Sequence, residues 1–394
     1  MRTYRELLGV PEFGPLFAAV SLRYAGGTME GIALGTLVYV RTGSPLLSAM
    51  SMFGPSAAQV LGAATLLSFA DRVRPRASLV GTGLAFAAAT LALAIPGLPV
   101  WTLLVIVFAA GVVSAFGGGV QWGLLNEIVP ADGYVLARSL FTMSSGVMQM
   151  AGFGLGGFLV ATLSARTTLV IAAGLYTAAA LVARVGMREH APRATGRASI
   201  RVTWRDNRLL WSERRRRCLY LAMWVPNGLI VGCEALFIPY STHWAGLLMS
   251  AAALGMLSGD LLVGRFLAPD RRRRLIEPLR LLLAAPYLLF ALAMPIGVAT
   301  ALIVIASVGY GSTLLLQEQL VAATPPELSG HALGLQSSGM LTMQAVGAAV
   351  AGSVAGALPI GTTMLCLAVA STLVTLSLTP GLRAPLAREA VAAA

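Results

Sequence analysis

Long apolar runs alternate with short polar loops along the whole chain. A helix needs about 20 apolar residues to cross the roughly 30 Å hydrocarbon layer of a bilayer. Twelve runs meet or approach that length: Phe13–Val40, Pro45–Phe69, Ala77–Ile95, Val100–Leu125, Leu136–Thr162, Thr167–Ala183, Leu219–Tyr240, Ala245–Phe266, Pro278–Met294, Ala299–Val321, Leu333–Ala357 and Ile360–Leu378. The runs are continuously apolar, so they predict helices rather than barrel strands, whose side chains would alternate. The pattern predicts an all-α membrane protein with twelve transmembrane helices.

Arginine is concentrated on alternate loops. One set of loops carries Arg72, Arg74, Arg76, Arg138, the segment Arg188–Arg217, Arg271–Arg274, Arg383 and Arg388, whereas the opposite set carries only Arg41 and Arg166. We call the first the arginine-rich side, and the positive-inside rule makes it cytoplasmic. An even number of crossings then places both termini inside. We therefore expect a multi-pass protein of the bacterial cytoplasmic (inner) membrane.

Composition excludes several kinds of chemistry. The basic residues other than histidine are all arginine, so no lysine is present for a Walker A phosphate loop or a Schiff base. Cys218, Cys233 and Cys366 lie in or beside apolar runs without metal-ligand spacing, and we expect no cofactor, metal or disulfide. The net charge of +12 reflects the arginines of the loops on one side of the membrane. Arg214–Arg217 is better interpreted as an anchor at anionic headgroups than as a nucleic-acid site.

The polar segment between Met187 and Arg217 divides the chain into two groups of six runs. We predict an N-terminal six-helix bundle over residues 1–186, a cytoplasmic linker over 187–217 and a C-terminal six-helix bundle over 218–394. Within the linker, Ile200–Trp211 mixes arginine with aromatic and aliphatic residues. This pattern favours a short helix in the membrane interface, and a solvated linker is the alternative.

The two halves resemble each other in sequence. A shift of 195 residues aligns Pro130 with Pro325, Ala137 with Ala332, Gln149 with Gln344, Gly152 with Gly347 and Gly157 with Gly352. Together with the equal helix counts, these matches favour a duplicated unit and two pseudo-symmetric bundles. Parallel repeats of this kind occur in transporters.

The loop after the second run contains Asp71, Arg72 and Arg76 in the order Leu-Ser-Phe-Ala-Asp-Arg-Val-Arg-Pro-Arg. It resembles the G-x-L-a-D-R-x-G-R-[KR] signature of the major facilitator superfamily, with Leu67 and Arg74 in place of glycines. The glycine-rich stretch 146–157 resembles that family's antiporter motif in the fifth helix, although a phenylalanine stands where proline is usual. The resemblance implies a twelve-helix drug or metabolite exporter.

The resemblance also implies a latch on the arginine-rich side. Asp71 would accept hydrogen bonds from amides at the start of the eleventh helix. Arg72 or Arg76 would pair with Glu127, and Arg138 would join them. The alternative is ordinary positive-inside charge with one acid present by chance.

Charged residues within the apolar runs are the candidates for function because such charges are costly in a membrane. Glu30, Glu234 and Asp260 are the candidate proton-coupling residues. Arg23 lies two helical turns before Glu30 and shares its face. For each acid the alternative is a structural partnership with a hydroxyl, amide or arginine. The third, sixth and twelfth runs carry no charge, so they can face lipid.

These features predict a proton-coupled secondary transporter that exports amphipathic neutral or cationic small molecules by alternating access. The candidate substrate-cavity residues are Arg23, Tyr24, Trp122, Trp224, Tyr310 and Glu318. An importer or facilitator of the same fold is the first alternative. A polytopic membrane enzyme is the second, but no histidine lies deep in a run to act as its base. Partners would be the substrate, protons and the bilayer, and we expect a monomer.

The orientation can be tested by thiol labelling. In a variant lacking Cys218, Cys233 and Cys366, Thr42→Cys or Ser164→Cys should react with an impermeant reagent added to intact cells. Ser199→Cys should react only after lysis, because its loop belongs to the arginine-rich side. Labelling of Ser199→Cys in intact cells would reverse the orientation.

Overall fold

The structure is a computed structural model that describes residues 4–70, 73–130, 133–190, 200–266 and 269–383. Within these ranges the protein forms helices and no strand. The chain divides into two compact units. The first comprises Met1–Arg197 and Phe237–Ala253, and the second comprises Ala198–Leu236 and Leu254–Ala394.

The first unit is built from long helices joined by short loops. Its helices are α1 (Tyr4–Leu8), α2 (Phe13–Thr42), α3 (Pro45–Ala70), α4 (Pro75–Leu93), α5 (Val100–Ile128), α6 (Tyr134–Thr162), α7 (Ala165–Gly186) and α10 (Phe237–Tyr240). Several ends have local causes. Gly43 ends α2 with a φ of 63°, which favours glycine. The Ser164 side chain caps α7 by accepting a hydrogen bond from the Thr167 amide at 3.0 Å.

The helices of the second unit are more often interrupted. They are α8 (Ile200–Ser212), α9 (Arg214–Ala235), α12 (Pro269–Ala284), α13 (Ile296–Val308), α14 (Ser312–Ala322), α15 (Ser329–Val354) and α16 (Ile360–Arg383). The helix α11 (Ala245–Leu261) begins in the first unit and ends in the second. A π-helical turn follows it at Leu262–Phe266, and 3₁₀ turns lie at Ala285–Leu289, Gly309–Gly311 and Pro326–Leu328.

Helical segments occupy all twelve predicted intervals, and most of their ends lie within about a turn and a half of the predicted ones. The exception is α12, which begins at Pro269 instead of Pro278. Eight described helical stretches are long and apolar enough to cross a membrane: Pro75–Leu93, Val100–Ile128, Leu136–Thr162, Ala165–Gly186, Arg214–Tyr240, Ala245–Phe266, Ile296–Ala322 and Ile360–Leu382. The chain is thus an all-helical, multi-pass membrane protein. The full count of twelve crossings stays a prediction.

The linker segment forms the helix α8, and its apolar side is packed within the second unit. Leu210 is fully buried. Trp211 stacks on Tyr220 of α9 with ring centroids 5.9 Å apart, and Asn207 Oδ1 lies 2.7 Å from His331 Nε2 of α15. The predicted helix is therefore present at Ile200–Ser212. Its position in the membrane interface stays a prediction.

The first helix of each predicted half is central in its own unit. In the first unit, α2 packs against α3, α6 and α7. In the second, α9 packs mainly against α15 and α16. The fifth and sixth predicted spans are α6 and α7 in the first half and α15 and α16 in the second. In each half, both of these spans contact the first span. This recurrence agrees with the duplication inferred from sequence.

Glycines allow these helices to approach closely. A β-carbon on Gly156 of α6 would lie 2.8 Å from the Ile32 side chain of α2, and one on Gly152 would collide with Thr28. In the second unit, a β-carbon on Gly347 of α15 would collide with the Gly228 carbonyl of α9. The glycines aligned by the repeat, at 152 and 347, therefore have the same role of close helix packing.

We expect Gly347→Val to destabilise the protein by about 1–3 kcal/mol, because its side chain must push α15 away from α9. Gly334→Val is the matched control, since nothing lies within 4 Å of a β-carbon at that position on the same helix. Thermal unfolding of the purified proteins in detergent would measure the difference. Equal transitions for the two variants would contradict this packing.

Candidate functional site

Glu30 lies in the middle of α2, and its side chain is buried inside the first unit with 8% of its surface exposed. Its Oε2 accepts a hydrogen bond from the Tyr176 hydroxyl of α7 at 2.8 Å. The same oxygen accepts one from the Thr90 hydroxyl of α4 at 3.0 Å. Three helices thus meet at one carboxyl group. The Tyr176 ring stacks on Phe86 with centroids 5.4 Å apart, which fixes the position of its hydroxyl.

The contacts of Glu30 are compatible with both its ionised and its protonated forms. The Thr90 hydroxyl also lies 2.8 Å from the Phe86 carbonyl oxygen, but it has only one proton to donate. When Glu30 is ionised, Thr90 can donate to the carboxylate. When Glu30 is protonated, its own O–H can donate to the Thr90 oxygen while Thr90 donates to Phe86. The site can therefore take up or release a proton without leaving a buried polar group unsatisfied.

Arg23 lies in the same region of α2, but it pairs with a neutral group. Its Nη2 donates to Gln121 Oε1 of α5 at 3.1 Å. Among the described residues it forms no ion pair with Glu30, and it interacts electrostatically with Tyr176. The structure thus places Arg23 and Glu30 in one polar cluster, linked through Tyr176.

Glu234 is buried in the last turn of α9 in the second unit, with 4% of its surface exposed. Its Oε1 has no hydrogen-bond partner among the described residues. Tyr287 and Tyr310 lie within electrostatic range of its carboxyl group. An ionised carboxylate without a donor is costly in such surroundings. Glu234 therefore differs from Glu30, whose Oε2 already accepts two hydrogen bonds.

Regular helical structure breaks down around Glu234. The helix α9 ends at Ala235, one residue beyond it. Tyr287 belongs to the 3₁₀ turn Ala285–Leu289, and Tyr310 belongs to the 3₁₀ turn Gly309–Gly311. Short 3₁₀ segments within helices often mark hinges, and interrupted membrane helices commonly form transporter binding sites.

Further polar groups surround Tyr310. Asn227 of α9 and Gln344 of α15 lie beside its hydroxyl, and Gln344 Nε2 is 3.4 Å from Asn227 Oδ1. Asp260 of α11 is half-buried and interacts electrostatically with the same hydroxyl. Two of the predicted proton-coupling acids, Glu234 and Asp260, therefore lie near one tyrosine in the second unit.

The other predicted cavity residues are more dispersed. Trp224 is buried, with its indole N–H donating to the Gln336 carbonyl at 2.9 Å. Trp122 packs against Phe141. Tyr24 is half-buried beside the hydrophobic cluster of the first unit, and Glu318 is exposed on α14. The contacts of these four residues with a substrate stay a prediction.

The predicted latch is described only in part, because Asp71 and Arg72 lie outside the described residues. Arg76 is half-buried near the start of α4. Glu127 Oε2 lies 3.7 Å from His190 Nδ1. Arg138 lies over the Trp122 ring, 5.5 Å from its centroid.

Sequence reasoning missed the neutral partners of the buried acids. These are Thr90 and Tyr176 at Glu30, and Asn227, Tyr287 and Gln344 around Tyr310. Tyr176 is the only tyrosine of an otherwise apolar run. Gln344 was already aligned with Gln149 by the repeat. Both signals could have identified candidates, but neither predicts which acid a side chain will contact.

Comparison with known proteins agrees with this architecture. Residues 16–351 match the sequence profile of the Major Facilitator Superfamily. A 176-residue stretch is 25% identical to YjbB of Bacillus subtilis (strain 168), an uncharacterized MFS-type transporter. That match covers 42% of this chain and 43% of the relative, so the chain matches less than half of that protein's length.

Solved structures of transporters share the fold at low sequence identity. A POT family transporter crystallised with a thioalcohol-conjugated peptide has a TM-score of 0.73 and 11% identity, covering 94% of this chain and 96% of that one. A bacterial homologue of the human lysosomal transporter Spinster, in an inward-facing and unoccupied conformation, has a TM-score of 0.66 and 14% identity, covering 94% and 95%. With its profile match, its apolar helices and this fold, the chain belongs to the Major Facilitator Superfamily, a family of transporters rather than enzymes.

Proposed function

We propose that this protein is a secondary transporter that exports amphipathic neutral or cationic small molecules in exchange for protons. The observation that carries the proposal is the buried carboxyl group on the first helix of each predicted half. Glu30 on α2 and Glu234 on α9 are both nearly inaccessible and both lie near tyrosine side chains. Burying an acid in a membrane helix costs free energy, so such acids are good candidates for functional residues.

Glu30 is the proposed principal proton carrier. Its hydrogen bonds to Tyr176 and Thr90 can be maintained in both protonation states, as described above. A proton can therefore bind and leave without unfolding the bundle. This property suits a group that must change its protonation state in every transport cycle.

Glu234 and Asp260 form the proposed second proton site. The free Oε1 of Glu234 can take up a proton or accept a hydrogen bond from an incoming group. Asp260 shares the neighbourhood of Tyr310. The 3₁₀ turns that carry Tyr287 and Tyr310 give this region backbone segments that can change conformation.

Coupling follows from thermodynamic linkage. If a proton and a cationic substrate compete for the same negative charge, each lowers the affinity for the other by the same factor. Alternating exposure of the acids to the two sides of the membrane then converts a proton gradient into substrate export. The chain has no lysine for a Walker A loop, so uphill transport would need an ion gradient or a partner ATPase, and we propose the ion gradient.

The acid side chains also support the substrate class. Glu30, Glu234, Asp260 and Glu318 outnumber Arg23, whose guanidinium already binds Gln121. This negative surplus favours cationic or neutral substrates over anions. Tyr24, Trp122, Trp224 and Tyr310 are the aromatic side chains proposed to contact apolar parts of the substrate.

The proposal includes a latch on the arginine-rich side, which we take as cytoplasmic. Asp71, Arg72 and Arg76 would stabilise the state that is closed on that side, with Glu127 and Arg138 as neighbours. The protein would act as a monomer in the bacterial inner membrane. A solute importer or facilitator of the same fold remains the alternative, and its substrate would move inward or down its gradient.

We expect Glu30→Gln to retain substrate exchange and to lose accumulation driven by a pH gradient. Glutamine keeps the shape and accepts hydrogen bonds but does not titrate. The measurement is accumulation of ethidium, an amphipathic cation, in proteoliposomes with and without an imposed pH difference. Glu234→Gln should show a smaller loss, and Tyr176→Phe should alter the pH dependence because it removes a donor to Glu30.

Glu189→Gln is the control for this experiment. Its side chain is 59% exposed on the arginine-rich side and pairs with Arg74, so its loss should leave coupling unchanged. If Glu30→Gln concentrates ethidium as well as the parent protein does, another group carries the proton. Absence of ethidium transport by the parent protein would reject the proposed substrate class.

For the latch, we expect Asp71→Asn to slow transport without reducing the amount of protein in the membrane. The uncharged side chain interacts less favourably with the positive end of a helix. Initial rates of ethidium transport, normalised to protein content, would measure the effect. An unchanged rate would remove Asp71 from the mechanism.

A further inference from the structure

A polar cavity lies in the second unit beside Arg274, which belongs to the segment Arg271–Arg274 of the arginine-rich side. It has a volume of about 340 Å³ and lies among α12, α14 and α16. Its lining includes Arg274, Glu277, Arg280, Gln319, Thr379 and Leu382. None of these residues belongs to the proposed transport site.

Arg280 is the unusual member of this lining. It is 1% exposed, yet none of its three guanidinium nitrogens has a hydrogen-bond partner among the described residues. The Oε1 of Gln319 is likewise buried without a partner. Glu277 interacts electrostatically with Arg280 from one turn earlier in α12 but accepts no hydrogen bond from its guanidinium. A buried guanidinium with five unused donors is costly.

Another buried arginine shows how this protein satisfies such a group internally. Arg216 is 7% exposed. Its nitrogens donate to the carbonyl oxygens of Leu209, Leu210 and Ala323 at 2.9–3.1 Å, and to Glu213 at 2.7 Å. Arg216 therefore needs no ligand. Arg280 has no such partners among the described residues, so its donors are open to a ligand.

Charge and shape indicate the chemistry of that partner. A guanidinium binds phosphate or carboxylate oxygens through two parallel hydrogen bonds. Among the described lining residues, Arg274 and Arg280 against Glu277 give one net positive charge, which matches the single negative charge of a phosphodiester. The exposed side chains of Leu376 and Leu373 lie about one and two turns from Thr379 along α16. They offer an apolar surface that continues from the cavity into the membrane region.

We propose that this cavity binds an anionic phospholipid, with its phosphodiester on Arg280, Arg274 at the entrance and an acyl chain along Leu373 and Leu376. Basic pockets between membrane helices are suited to such headgroups. A soluble phosphate could use the same guanidinium, but it would leave the apolar surface of α16 unused. The proposal does not depend on the transported substrate or on proton coupling.

The test compares three additives by thermal unfolding of the delipidated protein in detergent: phosphatidylglycerol, phosphatidylcholine and inorganic phosphate. We expect only phosphatidylglycerol to raise the transition temperature. For Arg280→Met, the concentration of phosphatidylglycerol giving half of the effect should rise about tenfold or more, because charge-assisted hydrogen bonds are lost. Arg184→Met is the control, since Arg184 is an exposed arginine near the end of α7 in the first unit.

Failure to fold is distinguishable from loss of binding. Replacing an unpaired buried charge by an apolar side chain should keep or raise the transition temperature in phosphatidylcholine. Native mass spectrometry of the proteins purified from membranes gives a second readout. The parent protein and Arg184→Met should retain phosphatidylglycerol, and Arg280→Met should not.

Three results would overturn the proposal. The first is equal stabilisation of the parent protein by phosphatidylglycerol and phosphatidylcholine. The second is an Arg280→Met variant that binds phosphatidylglycerol as well as the parent does. The third is a full stabilising effect of inorganic phosphate alone, which would assign Arg280 to a soluble anion.

Discussion

A polar or charged side chain buried among apolar helices needs a partner from a neighbouring helix, and this requirement organises the interior of both units. In the first unit, Arg23 reaches Gln121 on α5. Glu30 is bound by hydroxyls from α4 and α7. In the second unit, Arg216 binds three backbone carbonyls. Each contact fixes one helix against another, so the few polar groups specify an arrangement that apolar packing alone would leave less defined.

These polar contacts require closely packed helices, which the glycines provide. Gly152 and Gly156 bring α6 onto α2, the helix that carries Glu30. Gly347 brings α15 onto α9, the helix that carries Glu234. The acids thus lie on helices that glycines allow to pack closely. A membrane protein gains little from the hydrophobic effect between its helices, so close backbone packing contributes much of its stability.

The sequence predicted the helices well because each needs only a continuous apolar run. It also predicted the superfamily, since the motif around Asp71 is local. The side-chain partners were less predictable. The sixth run carries no charge, and nothing in its pattern predicts the hydrogen bond from its Tyr176 to Glu30. Likewise, the sequence did not reveal that the indole N–H of Trp224, a candidate cavity residue, donates to the Gln336 carbonyl. Periodicity gives the position of a residue on its helix, but the rotation and pairing of helices decide what it contacts.

The two buried acids differ in how far their hydrogen bonds meet the requirement for a partner on a neighbouring helix. Glu30 has two donors on one oxygen, whereas Oε1 of Glu234 has none among the described residues. A hydrogen-bonded acid can exchange a proton with little movement of its surroundings. An acid with an unused acceptor can bind a proton or accept a hydrogen bond from a ligand. Such binding at Glu234 can change the conformation of the nearby 3₁₀ turns. This difference fits the proposed roles, with Glu30 as the principal proton carrier and Glu234 in the second proton site.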